Sequence, residues 1–163
     1  MIDRIVAVRV EAEVRRRLAE LVPGIQAAAA AQAVAEVDGR ALTTHRVWGP
    51  DGRLTIASSA HVNDALFNTE SGTITVGEHA FFGHGVAVLT GTHDVTERRE
   101  ARQRAVPAEG RDVEIGPGAW IGTRAIVLGP CRVGADAVVA AGAVVIHDVP
   151  DGARVAGVPA RTL

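Results

Sequence analysis

Residues 115–150 divide into six consecutive groups of six that repeat one pattern. The groups begin at Ile115, Ile121, Val127, Val133, Val139 and Val145, so the first place is always β-branched. The second place is Gly in three of the six, and the fifth is Ala in four, with Cys131 and Val149 in the other two. A second block starting at Val76, Phe82 and Val88 follows the same pattern. A fainter one from Ile56 and Val62 is out of phase with it by two residues, which implies a small insertion around 68–73. A period of six fits neither an amphipathic helix nor a half-buried strand of alternating faces. It suits a chain that makes short straight runs and turns a corner every six residues. Three runs close a triangle of 18 residues, and the next turn stacks on it at about the 4.8 Å spacing of a sheet.

The expected fold class is therefore all-β, a parallel β-helix of triangular section with about four to five coils. The first-place residue points inward and stacks on its equivalents one turn away. The fifth-place residue is small because the interior narrows near a corner, and Gly at the second place is read as supplying corner dihedrals that other residues avoid. Cys131 stands in a fifth place and reads as a small buried hydrophobe, not as a reactive thiol. The pattern leaves the hand open, although the crossover rule for parallel strands favours a right-handed path.

Upstream, Ile2, Ile5, Val6, Val10, Leu18, Leu21 and Val22 form a helical stripe that Pro23-Gly24 ends. The alanine run 27–31 suggests a second helix, and turn dipeptides follow at Asp38-Gly39, Gly49-Pro50 and Asp51-Gly52. Two parts are expected: a helical and irregular N-terminal segment over 1–53, and a β-helix domain over 54–163 with a loop excursion at 94–112.

Composition removes several function classes. All 17 basic residues are Arg, so neither a Schiff-base lysine nor a P-loop lysine exists in the chain. A net charge of −2 gives no electrostatic case for nucleic acid. One cysteine excludes an intramolecular disulfide framework and a cysteine-rich zinc site. No apolar stretch approaches the 18 residues of a membrane span, and Glu11, Glu13 and Glu20 offset the Arg15–Arg17 cluster, which argues against membrane contact. The N-terminus alternates apolar and charged residues, unlike a secretory leader, so the expected location is cytoplasmic.

His93 closes a coil, and the repeat then breaks for about 19 residues. Loops of that length tend to carry function. The excursion balances Arg98, Arg99, Arg102, Arg104 and Arg111 against Asp94, Glu97, Glu100, Glu109 and Asp112. An imidazole beside such a loop is suited to proton transfer near neutral pH.

The repeats resemble the hexapeptide-repeat acyltransferases. Val88-Leu-Thr-Gly-Thr-His, the break to Asp112, Val113-Glu-Ile-Gly-Pro-Gly-Ala-Trp-Ile-Gly, Asp148-Val-Pro and Ala156-Gly-Val-Pro-Ala-Arg look like the maltose and galactoside O-acetyltransferase branch, which includes polysaccharide O-acetyltransferases. The resemblance covers about residues 54–163. It implies a left-handed coil, a homotrimer, acetyl-CoA as acyl donor with no metal, and a sugar or glycan-precursor hydroxyl as acceptor. It implies His93 as general base for direct attack, and Asn68 and Glu70 beside the acceptor. It implies Trp120, Thr123 and Ala141 along the pantetheine arm in the groove between subunits, with Arg161 at phosphate. His147 stands where the family often has Lys, as a weaker donor. Two other readings of the same fold remain open. One is a zinc enzyme resembling the gamma-class carbonic anhydrases, for which His79 and His84 have the pair spacing and His45 and His61 lie upstream. The other is a non-catalytic scaffold. Zinc without CoA binding would favour the first, and neither ligand the second.

Overall fold

The structure, a computed structural model, describes Arg17 and residues 44–163. Apart from Arg17, which is helical, the helices expected over the first 31 residues lie outside the described residues. In chain order the elements are β1 (Arg46–Trp48), β2 (Leu54–Ile56), β3 (Leu66–Asn68), β4 (Ile74–Val76), β5 (Phe81–Phe82), β6 (Ala87–Leu89), α1 (Arg99–Arg104), β7 (Val113–Ile115), β8 (Trp120–Ile121), β9 (Ile126–Leu128), β10 (Cys131–Val133), β11 (Val138–Val139), β12 (Val144–Val145), β13 (Arg154–Ala156) and β14 (Arg161–Thr162).

The strands fall on three sheets, in regular rotation from β3 to β12. Face A is ordered β1-β3-β6-β9-β12, face B β2-β4-β7-β10, and face C β5-β8-β11-β13-β14. Every pairing is parallel except the final β13–β14 hairpin. The stack begins with β1, which pairs Trp48 to Asn68. In the regular part each residue meets its equivalent 18 positions on, as Val113 meets Cys131 and Val127 meets Val145. This is the triangular coil that a period of six demands.

Burial follows place. The first-place residues Val76, Val88, Ile115, Ile121, Val127, Val133, Val139 and Val145 are at most 1% exposed, and the fifth-place Ala80, Ala119, Ala125, Ala137 and Ala143 are fully buried. The second-place glycines serve a different purpose from the one expected. The left-handed backbone falls on fourth-place residues instead, His79, Gly85, Gly118, Arg124, Asp136 and Gly142. At Gly83 and Gly122 the constraint is the adjacent coil. A Cβ there would stand 2.5 Å from the backbone nitrogen of Thr123 or Ala141, closer than any side chain tolerates. Glycine is required because two backbones stack, not because the corner is strained.

The coil is irregular at one corner above all. From Phe67 on face A to Val76 on face B takes nine residues instead of six, and from Val88 to Ile115 takes 27. The early coils thus place their extra residues at the A-to-B corner, one above another. The insertion expected around 68–73 is one of them. At the last coil the same corner is short. Val149 was expected in a fifth place, but it bridges Val133 and so takes a first place, two residues early.

Cys131 is 7% exposed on β10, and burial, with the Asp148 charge second, pushes its thiol up to about 11 from an ordinary 9.0. At pH 8 the thiolate fraction is then on the order of 10⁻³. A thiol reagent is expected to label the native protein slowly and the denatured protein at once; rapid native labelling would contradict the burial. The sign for stability follows. The unfolded thiol ionises first, so this group's contribution is lost as pH rises from about 9 towards 11.

Candidate active site

The A-to-B corner has a backbone problem, because inserted residues leave the sheet ladders and lose their regular partners. Buried hydroxyls replace them. Thr90 Oγ1 donates to the Asn68 carbonyl at 2.8 Å and accepts from the Ser71 N–H at 3.2 Å, while the Thr92 N–H donates to Ser71 Oγ at 3.4 Å. Arg53 Nη1 donates to the carbonyls of Thr69, Glu70 and Ala108 at 3.3, 3.1 and 2.6 Å, tying the small insertion to the long one. Arg111 Nε donates to the Thr90 carbonyl at 2.8 Å. Asp112 accepts from the Thr73 N–H and hydroxyl, which hold its carboxyl below the usual range. No buried side-chain nitrogen or oxygen among the described residues lacks a partner.

This framework surrounds a cavity of about 330 Å³ lined by Trp48, Asn68, Glu70, Gly91, Thr92, His93 and Val106. Asn68, Glu70 and His93, the three residues singled out for chemistry and acceptor contact, therefore share one site. The Asn68 Oδ1 accepts from the N–H of Glu70 at 3.0 Å and of Gly91 at 3.1 Å, which fixes the amide and leaves its Nδ2 available as a donor.

His93 is oriented by the excursion, which is not structureless: it carries α1. His93 Nδ1 lies 2.9 Å from the carbonyl oxygen of Arg102. A carbonyl only accepts, so Nδ1 carries a hydrogen, and in the neutral ring the lone pair is then on Nε2. The loop is held in turn by Asp94 N–H to Ala105 O at 2.7 Å and by Arg102 Nε to Glu97 O at 2.7 Å. Asp94 plays no part in orienting His93. Its carboxylate accepts from the Thr96 hydroxyl and N–H, and those two donors hold its pKa low.

The residues implied for the acyl donor lie elsewhere and in separate places. Trp120 is outward on β8 and stacks on Phe81 with ring centroids 5.7 Å apart. Thr123 and Ala141 are exposed at the C-to-A corner, where the Gly142 N–H donates to the Thr123 carbonyl at 2.9 Å. His147 and Arg161 share a second cavity, about 230 Å³, at the last coil. The cavity lined by His93 includes none of these groups. As for the zinc pattern, His84 Nδ1 turns to Asp64 Oδ1 at 3.1 Å, and among the described residues no three His, Cys, Asp or Glu side chains gather as a metal ion would need.

Trp48, Val106 and the Arg102 carbonyl were not anticipated. Trp48 had a signal: it sits one coil before Asn68 in register, 20 residues upstream, so extending the repeat back to residue 46 finds it. The Arg102 carbonyl had none, since any residue supplies one.

Residues 112–147 match the family model described as bacterial transferase hexapeptide (six repeats). The chain is 33% identical over 108 residues to a serine acetyltransferase of Arabidopsis thaliana, covering 66% of this chain and 31% of that one. It is 33% identical over 99 residues to the galactoside O-acetyltransferase of Lactococcus lactis, covering 61% and 46%. It spans between about a third and a half of the length of these curated relatives. A solved structure of a hexapeptide-repeat-containing acetyltransferase from Vibrio cholerae superposes with a TM-score of 0.51 at 25% identity, over 76% of this chain and 74% of that one. The fold is the left-handed parallel β-helix. With the repeat, the stacked coil and these likenesses together, the chain belongs to the hexapeptide-repeat acyltransferase family.

Proposed function

We propose that the chain transfers an acetyl group from acetyl-CoA to a hydroxyl of a sugar or polysaccharide precursor, with His93 as general base. The observation that carries this reading is the 2.9 Å bond from His93 Nδ1–H to the Arg102 carbonyl, which in the neutral ring assigns the lone pair to Nε2, in a side chain that lines a cavity with Asn68 and Glu70. Nε2 takes the proton of the acceptor hydroxyl as its oxygen attacks the thioester carbonyl carbon. The tetrahedral intermediate collapses, the carbon–sulfur bond breaks, and the imidazolium returns the proton to the departing CoA sulfur. The products are an acetyl ester and CoA thiol, with no acyl-enzyme. The Arg102 carbonyl keeps the ring in the required tautomer and stabilises the imidazolium that forms. Backbone N–H groups serve the oxyanion. Cys131 is excluded as a carrier by its burial and raised pKa.

The donor side explains the assembly we propose, a homotrimer. His93 stands at the A-to-B corner, whereas Thr123 and Ala141 stand at the C-to-A corner, so one chain alone does not complete the site. In a trimer a neighbour's Trp120, Thr123 and Ala141 would line the pantetheine arm, and His147 and Arg161 would meet phosphate. The acetyltransferase names of the relatives support the reaction class.

Isothermal titration with acetyl-CoA and with free CoA tests it, alongside metal analysis of the same sample. Stoichiometric micromolar-range binding is expected. Absence of binding to both would overturn the reading, and one zinc per chain in that case would favour the carbonic-anhydrase-like alternative.

A further inference from the structure

The cavity beside His93 has a distribution of chemistry that selects its acceptor. Two of its lining residues are large and apolar, Trp48, 67% exposed, and Val106, and the Trp48 backbone is held on β1, its carbonyl accepting from the Thr69 N–H at 2.8 Å. The polar lining groups are the Asn68 amide, in register with Trp48 on the next strand, and the carboxylate of Glu70, the only acidic or basic lining side chain among the described residues besides His93 itself. Among the described residues no arginine lines the cavity. Three arginines of this corner donate to backbone carbonyls instead, Arg53 to Thr69, Glu70 and Ala108, Arg102 to Glu97 and Val95, and Arg111 to Thr90, while Arg104 pairs with Glu100.

An acceptor that fits must offer an apolar face to an indole, hydroxyls to an amide and a carboxylate, and no negative charge. A carboxylate on the acceptor would meet Glu70 with no cation to pair it, and like charges at such range oppose binding. A pyranose ring meets the requirement. Its face of C–H groups lies flat on an aromatic surface, and its rim of hydroxyls both donates and accepts. The volume is near the lower end of the roughly 300–1,000 Å³ of small-molecule sites, which suits one ring.

We infer that Trp48 is a specificity-determining residue, the platform for an uncharged or amine-bearing pyranose, and that Glu70 excludes anionic acceptors such as a uronic acid or an amino acid bound through its carboxylate. This rests on the acetyl-transfer reading for the reaction but not for the binding.

The test measures both. The full chain with acetyl-CoA is given methyl glucoside, methyl galactoside, the methyl glycoside of glucosamine, methyl glucuronide and L-serine. The first three are expected to be acetylated, and the last two to show kcat/KM lower by about tenfold or more. Glu70→Gln is expected to narrow the gap between methyl glucoside and methyl glucuronide. Trp48→Ala is expected to raise acceptor KM about tenfold with CoA affinity unchanged, and Trp48→Phe to recover most of the loss. Glucuronide or serine turned over as well as the neutral glycosides would overturn the inference, as would an unchanged KM in Trp48→Ala.

Binding is read without the donor. The chain has two tryptophans, so in Trp120→Phe the emission reports Trp48 alone. The neutral and amine-bearing glycosides are expected to shift it and the glucuronide to leave it unchanged. If that pattern appears without any acetyl transfer, the acceptor inference stands and the transfer reading falls. If transfer occurs but the emission is blind to every glycoside, the platform falls and the transfer reading stands.

Discussion

His93→Ala is expected to lower kcat by about 10²–10⁴ while leaving the coil and its assembly intact. The loss follows from chemistry that no neighbour can replace. Among the cavity's lining residues His93 alone offers a nitrogen lone pair, and Asp94, the carboxylate next to it in sequence, is committed to Thr96. The fold is spared because the His93 side chain is exposed and its one hydrogen bond goes to a loop carbonyl. Acetyl-CoA affinity in the variant should match the wild type, since the residues proposed for the donor lie on other corners. Steady-state rates of CoA release, read with the circular dichroism of both proteins, make the comparison. Wild-type-like turnover in a folded variant would remove His93 from the mechanism.

Phe67→Ala should cost about 3–5 kcal/mol of stability, against a total of about 5–15 for a domain of this size. Phe67 is fully buried inside the coil. Its ring meets Phe82 at 6.1 Å and the edge of His45 at 5.7 Å between centroids. Truncation empties a ring's volume from an interior filled, apart from Phe82, mostly by Val, Ile and Ala. The backbone ladders from β1 to β6 hold the coils at fixed spacing, so the cavity cannot close. Asn68 follows directly in the chain, so the loss should also loosen the acceptor side of the site. Urea denaturation gives the magnitude. A midpoint within a few tenths molar of the wild type would mean that the coil collapses onto the space, contrary to this account.

The inward and outward positions of the coil were legible in the chain. A β-branched residue at nearly every first place and a small one at most fifth places encode a narrow triangular interior, and burial follows them from Val76 to Val145. His93 was legible as well, because a repeat that stops at an imidazole marks itself. Asn68 and Glu70 came from resemblance, and the corner brings both to His93.

Contacts between coils were not legible, and the reason is physical. Glycine at the second place satisfies two different demands, a corner dihedral or a close backbone approach, and only the stacked partners at Thr123 and Ala141 show that the second applies. Val149 keeps the spacing of a fifth place but bridges Val133, because the last A-to-B corner drops two residues and resets the phase. Trp48, Arg53 and the Arg102 carbonyl meet the site across separations of 9 to 55 residues. A six-residue pattern specifies which way each side chain points within its own coil. Which residues become neighbours depends on how many residues each corner adds or omits. That sum is settled only when the coils pair, since each backbone hydrogen bond then fixes one register among several that the local pattern allows.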